Sequence, residues 1–229
     1  MTKGKTILIF SISINVLLVA GIAGVIGWKY YRAKTRPFRT DYYEGKAGLF
    51  STFPRKKADI VFVGDSHTDR CEWSELFDRC GIINRGIDGD TTDGVLNRLD
   101  EIIAMKPAKI FIMVGGADLI IGRNIPQIEK NYRKIIERIR AESPRTTVYI
   151  QSMLPTVQRL VPMPLDLIRG LNAKLKMLAD GRNVFYIDLY RAMKDTSGGL
   201  NPSYSIDGVH LNGQGYRVWR EALLPHIAK

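Results

Sequence analysis

The sequence predicts an α/β fold built on a five-stranded parallel sheet, and three observations carry that expectation. Short runs rich in β-branched residues, such as Ile60-Val61-Phe62-Val63 and Lys109-Ile110-Phe111-Ile112-Met113-Val114, end at glycines or loop residues. Between them lie longer segments whose apolar residues repeat at helical spacing. Alternation of the two implies parallel strands joined by right-handed crossovers, with helices on both faces.

The first apolar stretch fits neither pattern. Ile7 to Gly27 is 21 residues without a charge, which as a helix would span about 30 Å, the thickness of bilayer hydrocarbon. Trp28, Tyr30 and Tyr31 suit a membrane interface, and Lys29, Arg32, Lys34, Arg36 and Arg39 stop the segment. Residues 1–31 are read as one N-terminal transmembrane anchor. A cleaved signal peptide, with Gly21 and Ala23 near its site, and a buried helix are the alternatives; apolar residues past Ala23 favour the anchor. The basic residues after the segment outnumber Lys3 and Lys5 before it, which would place the downstream domain in the cytoplasm. An anchor preceded by lysines also looks like an uncleaved export signal. The reading taken is a domain on the outer, extracytoplasmic or periplasmic side.

Residues 32–57 form a basic and aromatic connector whose Pro and Gly content argues against a long regular element. Residues 58–229 carry the alternation. After the strand at Ile60, Glu72 to Arg79 reads as a short helix, Gly81 to Asn84 as a strand, and Thr92 to Met105 as one helix burying Val95, Leu96, Leu99, Ile102 and Ile103. The strand from Lys109 is followed by a helix, Gln127 to Ser143, with Ile128, Tyr132, Ile135, Ile136 and Ile139 inward. Then come a strand at Thr147 to Met153, a loop at Pro155 to Pro164, and a helix at Leu165 to Leu178 that turns Ile168, Leu171, Leu175 and Leu178 to the core. Val184 to Leu189 is the fifth strand, Arg191 to Tyr204 a loop, and Gly213 to Ile227 a closing helix burying Tyr216, Trp219 and Leu223.

Composition narrows the function. The 229 residues are 45% hydrophobic, enough for one ordinary core. Of the formal charge of +11, +9 falls in residues 1–57, where eleven Lys and Arg face only Asp41 and Glu44. The basic excess therefore flanks the apolar stretch, where anionic lipid would meet it, and does not point to nucleic acid. Cys71 and Cys80 are nine apart, about 13 Å if helical, too far for a disulfide. Two reduced, partly buried thiols are expected. The two Cys and three His are scattered, so no metal site and no cofactor is expected.

Two stretches carry chemistry. In Gly64-Asp65-Ser66-His67 a serine stands where a strand gives way to a helix, the edge where α/β sheets meet their ligands. Ser66 or Thr68 could equally be a helix cap. In Asp207-Gly208-Val209-His210 a carboxylate lies three residues from an imidazole, close enough to orient it and leave its far nitrogen free. A serine nucleophile needs such a base and orienting group, although Asp-x-x-His can also close an ordinary turn. His67 and His226 are given structural roles.

These two motifs, in this order, resemble the SGNH or GDSL hydrolases, from about Ala58 to Ile227. The resemblance implies the family's three-layer flavodoxin-like sandwich and a Ser66, His210, Asp207 triad. It also implies an oxyanion hole from the N–H groups of Ser66 and Gly89, Gly86 being the alternative within Asn84 to Thr92. Gly115-Gly116-Ala117-Asp118 is similar to the family's third block, except that Ala117 stands where the family has Asn. Losing one such donor costs roughly 10²- to 10³-fold in rate. Ala117 is then an engineered change, a natural one with another donor in place, or the mark of a weakened or non-catalytic relative. Asp65 and Asp118 are read as supporting residues. Family members act on short acyl esters, O-acetylated sugars and lysophospholipids, and the absence of room for a lid domain favours a short acyl group, such as acetyl on a carbohydrate. The alternatives are a non-catalytic protein that binds acylated glycan or lipid, an acyltransferase, and a lysophospholipase.

Overall fold

Five strands form one parallel sheet in the order β2-β1-β3-β4-β5: β1 (Ile60–Gly64), β2 (Ile82–Gly86), β3 (Lys109–Met113), β4 (Thr147–Gln151) and β5 (Val184–Ile187). All five residues of β1 are buried, which is why its sequence is continuously apolar. The register sets Phe62, Phe111, Tyr149 and Phe185 side by side on four strands. Their rings stack in a row, with centroids 4.9, 4.6 and 5.5 Å apart, and Trp73 stacks on Phe62 at 3.9 Å. Such stacks add to the burial of the rings themselves. The chain runs one way from β1 and the other way from β3, so a crevice opens between their carboxyl ends.

This computed structural model describes residues 15, 17–27, 41–53, 57–160 and 163–227. The chain divides into two compact units, Met1–Pro37 and Phe38–Lys229. In the first, a helix, α1, covers residues 17–27. Among the described residues no helix is long and apolar enough to cross a membrane. Of the rest of the span predicted from Ile7, residue 15 is helical and the others lie outside the described residues.

The second unit departs from the sequence reading at its start. The connector contains a helix, α2 (Asp41–Thr52), despite Gly45 and Gly48. Tertiary contact explains it: Tyr43 and Phe50, two turns apart, bury against Ile87, and the Tyr43 hydroxyl donates to the Gly94 carbonyl at 2.8 Å. Arg85 sets its guanidinium 4.5 Å from the Phe50 ring.

The helices after β1 are α3 (Ser66–Asp69) and α4 (Trp73–Leu76), a single turn where eight residues were predicted. The helix predicted from Thr92 to Met105 is two, α5 (Thr92–Asn97) and α6 (Leu99–Ala104). Arg98 breaks it because its side chain turns inward to Asp90, binding with Nε at 2.9 Å. After β3 come α7 (Gly116–Ile120) and α8 (Ile125–Glu142). In α8 the five predicted inward residues are all buried, and Asn124 with Gln127 forms a reciprocal capping box. Then come α9 (Leu165–Lys176) and α10 (Leu189–Met193), the latter within the predicted end of β5 and the loop after it, and α11 (Gly213–Ile227). Trp219 and Leu223 are fully buried in α11, while Tyr216 is partly exposed. Cys71 and Cys80 are both free thiols; Cys71 is buried, and Cys80 is exposed rather than partly buried.

Candidate active site

Ser66 begins α3 directly beyond β1, with 8% of its surface exposed. Asp65 caps that helix, its carboxylate accepting the His67 N–H at 3.2 Å. The loop after α10 returns the chain to this edge. An antiparallel bridge, Ser205 to Leu211, closes it into a narrow turn. The Ser205 hydroxyl donates to the His210 carbonyl at 3.0 Å and accepts the Gly208 N–H at 2.8 Å. The Val157 N–H, from the loop after β4, donates to the Gly208 carbonyl at 2.8 Å, so that loop borders the site.

This turn brings Asp207 and His210 to Ser66, which is 144 positions from the imidazole in sequence. His210 Nε2 lies 3.1 Å from the Ser66 hydroxyl, and its Nδ1 lies 2.6 Å from Asp207 Oδ2. Asp207 Oδ1 accepts the N–H groups of Val209 and His210, at 3.0 and 2.8 Å. Partial burial alone would raise the Asp207 carboxyl. The hydrogen bonds from the His210 ring and from the two N–H groups outweigh it and hold Asp207 well below the usual carboxylate range. Asp207 is thus ionised at neutral pH and accepts from Nδ1 of the imidazole, whose other nitrogen faces the serine.

The segment Asn84 to Thr92 lies against the same helix. Gly86 ends β2 where a Cβ would sit 2.2 Å from the Asp69 nitrogen, so only glycine lets β2 approach α3. Gly89 is the glycine in the left-handed region, φ +73°, in the turn beyond it. Asp69 ties this turn to α3 and α2: its carboxylate accepts the Asp88 N–H at 3.0 Å, the Tyr42 hydroxyl at 2.7 Å and Lys46 Nζ at 2.8 Å. Sequence reasoning passed over Asp69. It also passed over Asn84, whose amide donates to the carbonyls of Thr68, Asp69 and Cys71 and so fastens the end of α3 to β2.

Ala117 is 8% exposed in α7, and its methyl group offers no hydrogen bond. Asp118 beside it is fully buried. Its carboxylate accepts the Thr92 N–H and hydroxyl, at 2.9 and 2.8 Å, and Arg123 Nη1 at 2.7 Å, so it braces the loops without facing Ser66's partners. His67 is the larger surprise. Its ring lies 5.6 Å from that of His210, centroid to centroid, and touches both Asp65 and the Val209 carbonyl. Its proximity in sequence to Ser66 was the available signal. Among the described residues no group of three His, Cys, Asp or Glu is placed to hold a metal ion.

Asp90 and Arg98 pair beside Gly89 in the segment Asn84 to Thr92, 1% and 6% exposed. Burial pushes the Asp90 carboxyl up to about 6 even though Arg98 pulls it down. Arg98→Met is expected to cost about 3–5 kcal/mol at pH 8, because it leaves an unpaired buried carboxylate. A carboxyl raised in the folded state loses stability as pH rises through its pKa, so the loss should be clearly smaller at pH 5. Urea unfolding followed by tryptophan fluorescence at the two pH values checks this; equal losses would contradict it.

A hydroxyl, an imidazole and a carboxylate joined in series at the carboxyl edge of a parallel sheet is the arrangement found in serine hydrolases. The comparisons with known proteins narrow this class. The GDSL-like Lipase/Acylhydrolase family matches residues 62–218, and the chain belongs to that family. The platelet-activating factor acetylhydrolase IB subunit alpha2 of Rattus norvegicus is 30% identical over 172 residues, covering 70% of this chain and 72% of that one. The alpha1 subunit from Bos taurus is 28% identical over 169 residues, covering 70% and 71%. Among solved structures, a GDSL-like lipase from Bacteroides thetaiotaomicron matches with a TM-score of 0.67 at 25% identity, covering 81% of this chain and 97% of that one.

Proposed function

We propose that this chain is a serine esterase that removes short acyl groups, acetyl first among them, from an alcohol such as a carbohydrate hydroxyl. The observation that carries the reading is the 3.1 Å contact between His210 Nε2 and the Ser66 hydroxyl, with Asp207 behind the imidazole. In the first half-reaction the Ser66 oxygen attacks the ester carbonyl while His210 takes the serine proton. The C–O bond to the alcohol then breaks, and His210 gives that proton to the departing oxygen. Water repeats the sequence on the acyl-enzyme and releases the acid. Asp207 stabilises the imidazolium formed in each half.

The backbone N–H groups of Ser66 and Gly89 would hold the developing oxyanion, with the third donor missing at Ala117. The choice of acetyl rests on the relatives, which are named as acetylhydrolases of platelet-activating factor. The apolar stretch Ile7 to Gly27 supports anchoring in a membrane, and its likeness to an uncleaved export signal, preceded by Lys3 and Lys5, supports an extracytoplasmic domain against the count of basic residues. Ala117 also favours a second reading, a protein that binds acylated glycan or lipid without turning it over.

An activated-phosphonate probe separates the two. The full chain in detergent is expected to be labelled, the label should vanish in Ser66→Ala, and acetyl esters should be cleaved at least tenfold faster, as kcat/KM, than octanoyl esters. A chain that takes no label, or takes it equally without Ser66, is not this esterase.

A further inference from the structure

His67 has no part in the proposed reaction, yet it stands between the two segments that the reaction must hold together. Its side chain is 12% exposed. Nδ1 lies 3.3 Å from Asp65 Oδ1, and Nε2 lies 2.9 Å from the Val209 carbonyl oxygen. Both partners are acceptors with no hydrogen to give. A neutral imidazole has one N–H and one lone pair, so in either tautomer one nitrogen would turn its lone pair toward an oxygen. Only the imidazolium donates to both.

The surroundings suit a cation. Burial lowers the His67 pKa, but the hydrogen bond and charge of Asp65 and the Val209 carbonyl raise it further, and the net position is above the ordinary histidine value. On its own segment the other charges are Arg70, which opposes the proton and is paired to Asp88 at 2.6 Å, and Asp69, which is paired to Lys46. From the facing loop come the His210 ring and Asp207, joined to each other. From α11 comes Tyr216, whose hydroxyl donates to the His67 carbonyl at 2.9 Å and whose phenol burial keeps neutral.

Given the esterase reading of Ser66 and His210, we propose that His67 is a positioning residue: its imidazolium staples the turn that carries Ser66 and Asp65 to the loop that carries Asp207 and His210. Val209 adjoins His210, so the Nε2 bond fixes the backbone from which the catalytic imidazole projects. When His67 becomes neutral and keeps its hydrogen on Nδ1, the nitrogen that faces the Asp65 carboxylate, the Nε2 bond to Val209 is lost and the 3.1 Å contact loosens. Activity should therefore fall on the alkaline side as His67 titrates.

Imidazole ¹⁵N NMR on the full chain reads the charge directly, since the sequence has only three histidines. At pH 7 one histidine should show both nitrogens protonated, and that signature should disappear in His67→Gln. The variant should also weaken the downfield proton of the His210–Asp207 hydrogen bond. Its kcat should fall about 10- to 100-fold, as expected for a small misplacement of the base, with KM unchanged and the alkaline limb gone. A neutral His67 at pH 7 overturns the proposal. So does a His67→Gln protein that keeps its kcat and alkaline limb or, if the chain cleaves no ester, keeps the downfield proton unchanged. Both NMR readings are independent of turnover, so failure of the esterase reading shows separately, as a chain that neither takes the probe nor cleaves an ester.

Discussion

On the proposed esterase reading, in which Ser66 and His210 act as one unit, His210→Ala is expected to lower kcat for ester cleavage about 10⁵- to 10⁶-fold, close to the effect of Ser66→Ala. His210 Nε2 is the imidazole nitrogen within hydrogen-bond reach of the Ser66 hydroxyl. The neighbouring His67 cannot stand in for it, since both its ring nitrogens are engaged elsewhere. Asp207→Asn should cost less, about 10³- to 10⁴-fold. Asn could still accept the Val209 and His210 N–H groups through one oxygen. Its amide hydrogens would face Nδ1, however, and favour the tautomer that points an N–H at the serine. Single-turnover kinetics on the three variants, with the Ser66→Ala/His210→Ala double variant no slower than either single one, checks the unit. A loss of under about a hundredfold in His210→Ala would mean that another group takes the proton.

Ala117→Asn is expected to raise kcat about 10²- to 10³-fold with KM changed less than about twofold. The reason is selective stabilisation: a donor aimed at the oxyanion bonds the transition state far better than the ground-state carbonyl. Position 117 lies in α7, just beyond β3 and at the sheet edge shared with Ser66. The measurement is steady-state hydrolysis of an acetyl ester by the two chains side by side. An unchanged rate would place the third donor elsewhere in the site.

The parts of the fold that were legible in the sequence are those set by period and sidedness. The stripe Ile128, Tyr132, Ile135, Ile136 and Ile139 predicts its own burial, because one helix face must leave water whatever it meets. Continuous apolar strands such as β1 likewise predict a sheet covered on both sides. In the site, Ser66 and the Asp207–His210 pair were legible as motifs with a chemical reason for their residue types.

Other features depend on partners far away in the chain. The helix α2 is not marked by its own sequence, and it exists where Tyr43 and Phe50 meet Ile87. The break at Arg98 arises from the buried Asp90 carboxylate that its guanidinium reaches, eight residues back and across a turn. His67 gained its place from the Val209 carbonyl, 142 residues downstream, which no local pattern announces. The sequence by itself therefore determined the alternation of elements, their buried faces and the chemical types brought to the candidate site. Tertiary structure alone decided which distant backbone and side-chain groups complete them, because hydrogen bonds and charge pairs depend on ångström-scale distances that hydrophobic periodicity does not encode.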